Sequence, residues 1–158
     1  MKVYIGADHA GFALKEKLKT ALARKHSVVD LTPKFVAGDD YPLVARKVVT
    51  AAMRAGKKAV LICGSAEGIC IAANKIRGAR AVPVFNEATA KLSELHNDAN
   101  VLCLSGGEVK NASERKKLAK TKLTPAKAAK IVKIWLSTKF SGKARHKRRL
   151  REIKAMER

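Results

Sequence analysis

The 158 residues predict an α/β fold, a three-layer sandwich around a five-stranded parallel sheet. Short apolar runs alternate along the chain with longer segments of helical periodicity, the pattern of βαβ units. The most apolar run, Ala59-Val-Leu-Ile-Cys63, has no polar alternation and therefore belongs at the centre of a sheet buried on both faces. Handedness and packing then place helices on both sides of the strands.

Val3-Tyr-Ile-Gly6 is a short buried strand ending in glycine. From Ala10 to Lys25, Phe12, Leu14, Leu18, Ala21 and Leu22 recur at helical spacing with lysines on the other faces. Val28–Leu31 reads as the second strand, and Pro33, Gly38, Asp39, Asp40 and Pro42 mark a loop after it. A helix over Leu43–Ala55 is closed by Gly56. The central strand follows, then a helix over Glu67–Ile76 that stops near Gly78. Arg80–Val84 is a strand whose Pro83 favours an edge or a strand end. Glu87–Leu95 is helical and Val101–Leu104 is the fifth strand. Thr124–Lys139 is a helix with Pro125 in its first turn, anchored by Trp135 and Phe140. Arg145–Met156 is a last, very basic helix. The lysine-rich stretch near 115–122 has the composition of an exposed loop or frayed helix. The whole, 1–158, is expected to be a single domain, with a basic insertion near 110–123 and a basic helix over 145–156.

No apolar run approaches the roughly 20 residues that span a bilayer. The N-terminus enters a strand directly, so neither a membrane span nor a signal peptide is expected, and the cytoplasm is the expected compartment. Three cysteines, an odd number, argue against a disulfide framework. Cys63 and Cys70 stand seven apart without a CxxC or a histidine cluster, so no metal site is expected. The formal charge of +21 is extreme for a small enzyme. About half of the excess lies in 110–122 and 141–158, which makes non-specific association with nucleic acid an expectation from charge alone.

Ligands of parallel sheets bind at the carboxyl ends of the strands. There stand Asp8-His9-Ala10-Gly11 after the first strand and Cys63-Gly64-Ser65-Ala66-Glu67-Gly68 after the third. The second is a turn into a helix N-terminus, whose N–H groups suit an oxyanion or phosphate. It is neither GxGxxG nor a Walker loop, which leaves nucleotide binding poorly supported. Beside that helix end the Cys63 thiol is expected to be acidified, fit to act as a base; the alternative is an inert strand-end cysteine. His9 is either an anion contact or a ring oriented by a carboxylate, with Asp8 as the alternative helix cap. His96-Asn97-Asp98 is either functional or a polar helix end. Arg145 and Arg149, four apart, share a helix face suited to a phosphate or to an unspecific basic tail. Cys70 and Cys103 read as core.

Together, Gly6-Ala-Asp8-His9-Ala-Gly11-Phe, Asp40-Tyr41-Pro42, Cys63-Gly64-Ser65, Ile71-Ala-Ala-Asn74-Lys75, Gly78-Ala-Arg80-Ala, His96-Asn97-Asp98-Ala-Asn100-Val-Leu and Arg145-His146-Lys-Arg-Arg149 resemble the type B ribose-5-phosphate isomerases. The galactose-6-phosphate isomerase subunits belong to the same superfamily. The resemblance spans residues 1 to about 107 and about 125 to 152. It implies a Rossmann-like three-layer sandwich that forms a homodimer or a dimer of dimers, with the C-terminal helix contacting the partner subunit and no metal or organic cofactor. It also implies aldose–ketose isomerisation of ribose 5-phosphate through a cis-enediolate, in the pentose phosphate pathway.

By the same resemblance Cys63 is the base and Ser65 assists the proton shuttle. Gly64, Ser65, Ala66, Glu67 and Gly68 form the anion hole. His96 opens the sugar ring, with Asp8 near the sugar, and Asn97 contacts the reacting oxygens. His9, Arg145 and Arg149 contact phosphate, and Tyr41 lines the pocket. His96 precedes the fifth strand and so lies at the sheet's amino edge, opposite Cys63; this predicts that His96 and Asn97 serve the partner's site.

Three features depart from the family pattern. Ala66 stands where relatives have glycine, and Glu67 adds a negative charge beside it. Gly106-Gly107-Glu108 replaces a phosphate-contacting arginine. The stretch Asn111–Leu123 is longer and more basic, and Lys110, Lys116 or Lys117 is a candidate replacement. A six-carbon aldose phosphate (allose or galactose 6-phosphate) is an alternative substrate, and a non-catalytic basic nucleic-acid-binding relative is the alternative of another class.

Overall fold

The computed structural model describes residues 1–157. Five strands, β1 (Lys2–Ala7), β2 (Ser27–Asp30), β3 (Lys58–Cys63), β4 (Ala81–Pro83) and β5 (Val101–Ser105), form one sheet in the order β2-β1-β3-β5-β4. Every pairing is parallel. The apolar run of β3 is central, as its composition requires, and Pro83 lies in the edge strand β4, where a missing N–H leaves no ladder bond unmade.

The described residues form seven helices: α1 (Phe12–Ala23), α2 (Tyr41–Arg54), α3 (Glu67–Ala73), α4 (Glu87–Asn97), α5 (Ala112–Leu118), α6 (Pro125–Ser137) and α7 (Ala144–Ala155). The period-two alternation of strand side chains divides the core between two faces. Val60 and Ile62 of β3 and Leu102 and Leu104 of β5 pack with Leu14 and Leu18 of α1 and Ile131 and Trp135 of α6. Ala59, Leu61, Cys63 and Cys103 pack with Val48 and Val49 of α2 and Ile69 and Cys70 of α3. Cys70 and Cys103 are thus core residues. Trp135 is fully buried and its indole N–H donates to the Ala99 carbonyl at 3.0 Å, so the polar end of the ring is satisfied. Each such apolar side chain contributes about 1.5–3 kcal/mol on burial.

Three of the differences from the periodicity have a clear local reason. The first helix begins at Phe12 rather than Ala10 because Asp8–Gly11 is a turn, closed by Gly11 N–H to the Asp8 carbonyl at 3.1 Å. The second begins at Tyr41, with Pro42 in its first turn, where its missing N–H has no intrahelical partner to lose. The lysine-rich stretch contains a regular helix, α5. Its N-cap is Asn111, whose side chain accepts from Ser113 N at 2.9 Å and Glu114 N at 3.1 Å. Asn followed three residues later by Glu is a helix-start signature, and it was readable in the sequence.

Candidate active site

Three loops leave the carboxyl edge of the sheet side by side, after β1, β3 and β5. They pack through glycines. A Cβ on Gly11 would collide with the Ile62 carbonyl, and one on Gly106 would stand 2.6 Å from the Ala10 carbonyl oxygen. Backbone against backbone brings the loops close enough to line one cavity of about 490 Å³. Its walls are Asp8, His9 and Ala10, then Tyr41, then Cys63, Gly64, Ser65 and Gly68, and finally Val109, Glu114, Lys117 and Leu118.

Cys63 ends β3 with its thiol facing the turn, and the Ala66 N–H donates to Sγ at 3.2 Å. Ala66 is fully buried at φ 74°, the left-handed region that alanine adopts only under constraint. Glu67 opens α3, is exposed, and does not line the cavity; its N–H donates to Ser65 Oγ at 3.3 Å. Tyr41 lies across the start of α3, since a Cβ on Gly68 would stand 2.8 Å from the phenol ring.

The acidified thiol expected from the helix end is not what the environment produces. Burial pushes the Cys63 thiol above the ordinary cysteine value. The Ile69 N–H pulls it down, the Asp8 charge raises it further, and the Ser65 and Ala66 N–H groups lower it. Desolvation outweighs the dipoles because the residue is 4% exposed. Asp8 is itself raised to about 6, chiefly by burial, against the Gly11 N–H that its carboxylate accepts at 2.9 Å. His9 is oriented by a carboxylate, that of Asp39 rather than Asp8. Asp39 Oδ1 stands 3.1 Å from His9 Nδ1 and accepts the His9 N–H at 2.7 Å. Sequence spacing concealed this partner, thirty residues away in the β2–α2 loop.

A sequence model of the Ribose/Galactose Isomerase family matches residues 3–153. The chain belongs to the ribose/galactose isomerase family. Among its relatives, the probable ribose-5-phosphate isomerase B of Mycoplasma genitalium is 39% identical over 155 residues, 96% of this chain and 92% of the relative. The ribose-5-phosphate isomerase B of Escherichia coli is 37% identical over 160 residues, 99% of this chain and 96% of that one. The crystal structure of the Mycoplasma genitalium enzyme with bound ribulose-5-phosphate aligns at TM-score 0.83 and 36% identity, covering 99% of this chain and 95% of that one. The Clostridium thermocellum ribose-5-phosphate isomerase B aligns at 0.85 and 34%, covering 99% and 97%.

The remaining residues singled out by the ribose/galactose isomerase resemblance lie elsewhere. His96 and Asn97 end α4, and Arg145 and Arg149 lie exposed on α7. The His96 ring packs on the His146 ring with centroids 4.6 Å apart. His146 is buried; its Nδ1 is 2.7 Å from Ser141 Oγ, and its Nε2 accepts from Arg145 Nε at 3.2 Å. His96 and Asn97 stand just before β5, whereas Cys63 is the last residue of β3. Five strand residues at about 3.3 Å each separate the two ends of the sheet. Sequence reading missed Val109, Glu114 and Leu118 as cavity residues. Of the lysines it proposed, Lys117 lines the cavity, Lys110 lines a neighbouring one with His9 and Arg115, and Lys116 lines neither.

Proposed function

We propose that this protein interconverts ribose 5-phosphate and ribulose 5-phosphate, with Cys63 as the base that moves the proton between C2 and C1. The observation that carries this reading is the position of the Cys63 thiol, at a strand end, in a cavity with Asp8, His9 and Ser65, under the N–H groups of a helix-initiating turn. Family membership and the ribulose-5-phosphate complex of the Mycoplasma genitalium enzyme support it.

In the reaction the thiolate takes the C2 proton of the open-chain aldose. The C–H electrons form the C1=C2 bond of a cis-enediolate, and the carbonyl electrons move onto O1. The proton of the O2 hydroxyl passes to O1, with Ser65 as the relay. The carbonyl re-forms at C2, and Cys63 returns its proton to C1. A thiol whose pKa is held up is a stronger base once ionised, and this favours removal of a weakly acidic C–H proton. The turn's N–H groups stabilise the developing oxyanion, about 3 kcal/mol for each well-aimed donor. His9 is suited to the phosphate, which supplies remote binding energy to align C1 and C2 with Cys63.

His96, Asn97, Arg145 and Arg149 belong, in this reading, to the site of a second subunit, in a homodimer or a dimer of dimers. Their place at the amino edge supports it: one chain offers Cys63 at one end of the sheet and ring-opening and phosphate-binding groups at the other. Three buried, unpaired cysteines fit a reducing cytoplasm, and among the described residues no helix is long and apolar enough to cross a membrane. The reaction is tested by following ribulose 5-phosphate formation with the wild type and Cys63→Ala. Formation that disappears in the variant is the expected result. A wild type inactive on ribose 5-phosphate but active on allose or galactose 6-phosphate would move the assignment to the six-carbon substrate.

A further inference from the structure

The Cys63 cavity carries two carboxylates, Asp8 and Glu114, and among the described residues Lys117 is the only lysine or arginine in its lining. His9, the other basic group there, already faces the Asp39 carboxylate. Within one chain, such a lining offers a dianionic sugar phosphate one lysine, Lys117, against two carboxylates. Lys117 forms no ion pair with any described residue, so its ammonium is available to a ligand.

The segment carrying Lys117 is built as a roof. Its roots are tied to the loop that holds Cys63. Gly106 N–H donates to the Cys63 carbonyl at 2.8 Å, Gly107 N–H to the Gly64 carbonyl at 2.9 Å, and Leu123 N–H to the Ser105 carbonyl at 3.0 Å. Between these roots residues 108–122 hold six basic and two acidic side chains. None of α5 is buried, so its sequence does not serve core packing. Asn111 caps the helix, and Glu114, Lys117 and Leu118, spaced three and four apart, share the face toward Cys63.

We propose that α5 is a substrate-binding roof and that Lys117, together with His9, is a residue through which this chain itself holds the phosphate of its substrate. The proposal rests on the isomerase reading for the identity of that substrate.

The test compares Lys117→Ala, Lys117→Arg and, as a neighbour outside the cavity, Lys116→Ala. Calorimetric titration with inorganic phosphate gives Kd, and turnover gives KM for ribose 5-phosphate and for unphosphorylated ribose. A lost charge-assisted contact corresponds to about a tenfold to hundredfold change. The expected result is that weakening in phosphate Kd and in ribose 5-phosphate KM for Lys117→Ala, with most of it recovered in Lys117→Arg. Lys116→Ala should stay within twofold, and the KM for ribose should not move. Lys117→Ala values within twofold of the wild type overturn the proposal, and so does an equal loss in Lys116→Ala or an equal rise in the KM for ribose. If the wild type turns over no ribose 5-phosphate, the isomerase reading fails, and the phosphate titrations alone still decide the role of Lys117.

Discussion

The amide of Ala66 donates to the thiol of Cys63 across 3.2 Å, and it does so from a left-handed backbone at φ 74°. The turn between β3 and α3 can aim its N–H groups inward only by reversing the chain sharply at this residue. Alanine adopts the conformation at a cost of about 1–2 kcal/mol, so the local geometry is held by its surroundings rather than by its own preference.

That strain predicts a ranking. Ala66→Gly relieves the left-handed backbone but gives up a buried methyl, and stability should stay within about 1 kcal/mol of the wild type. Ala66→Val places a β-branched side chain at positive φ in a site with no free space, and the loss should exceed about 2 kcal/mol. Urea midpoints of the two variants check this; equal midpoints would contradict it.

The Asp8 charge makes the Cys63 thiol harder to ionise, adding to the larger effect of burial. The thiolate fraction of Cys63 grows with pH, and its pKa is held above the ordinary value. Turnover and alkylation by iodoacetamide should therefore both still be rising at pH 9. Asp8→Asn removes a negative charge that opposes the thiolate. The alkylation profile of this variant should move to lower pH, and a shift to higher pH would refute the coupling.

Asp8 also links stability to pH. Its carboxyl goes from 3.8 in the unfolded chain to about 6 in the fold, so the folded state binds protons more tightly and loses stability as pH rises from about 4 to 6. At 1.36 kcal/mol per unit, the loss is about 3 kcal/mol and is complete above pH 6 to 7. Asp8→Asn should therefore be more stable than the wild type at pH 8 by about 2–3 kcal/mol and of similar stability at pH 4. Denaturant titrations at both values measure it.

Gly11 lets the β1 loop lie against the Ile62 carbonyl, and neither side can move without breaking a strand end. Gly11→Ala should cost about 3 kcal/mol or more and open the cavity wall. Thermal unfolding with and without inorganic phosphate would show both a lower Tm and weaker stabilisation by the ligand.

Shared sites predict complementation. A mixed dimer of Cys63→Ala and His96→Ala chains holds one intact site, built from Cys63 of one subunit and His96 of the other. Each homodimer should be inactive, and verified heterodimers should recover up to about half of the wild-type rate. Heterodimers as inactive as their parents would exclude the arrangement.

The sequence by itself determined the order of the five strands and of every helix but α5, the central place of Ala59–Cys63, and an edge or strand-end place for Pro83, because burial on two faces and a missing N–H are written in single residues. It also determined that Asp8, His9 and Cys63 would meet, because parallel strands bring their carboxyl ends to one edge. Family motifs pointed to Tyr41 and Gly68, which the fold brings to the same cavity. The tertiary structure alone decided what those groups are. Burial, a sum over all neighbours, raised the Cys63 thiol that the local dipole was expected to acidify. His9 found its carboxylate in Asp39, thirty residues away, where no local spacing could signal it. The rotation of α5, and with it the choice of Lys117 over Lys110 and Lys116, follows from where Gly106 and Leu123 are tied to β3 and β5. Composition says that the segment is basic; only the position of its two roots says which charge faces the cysteine.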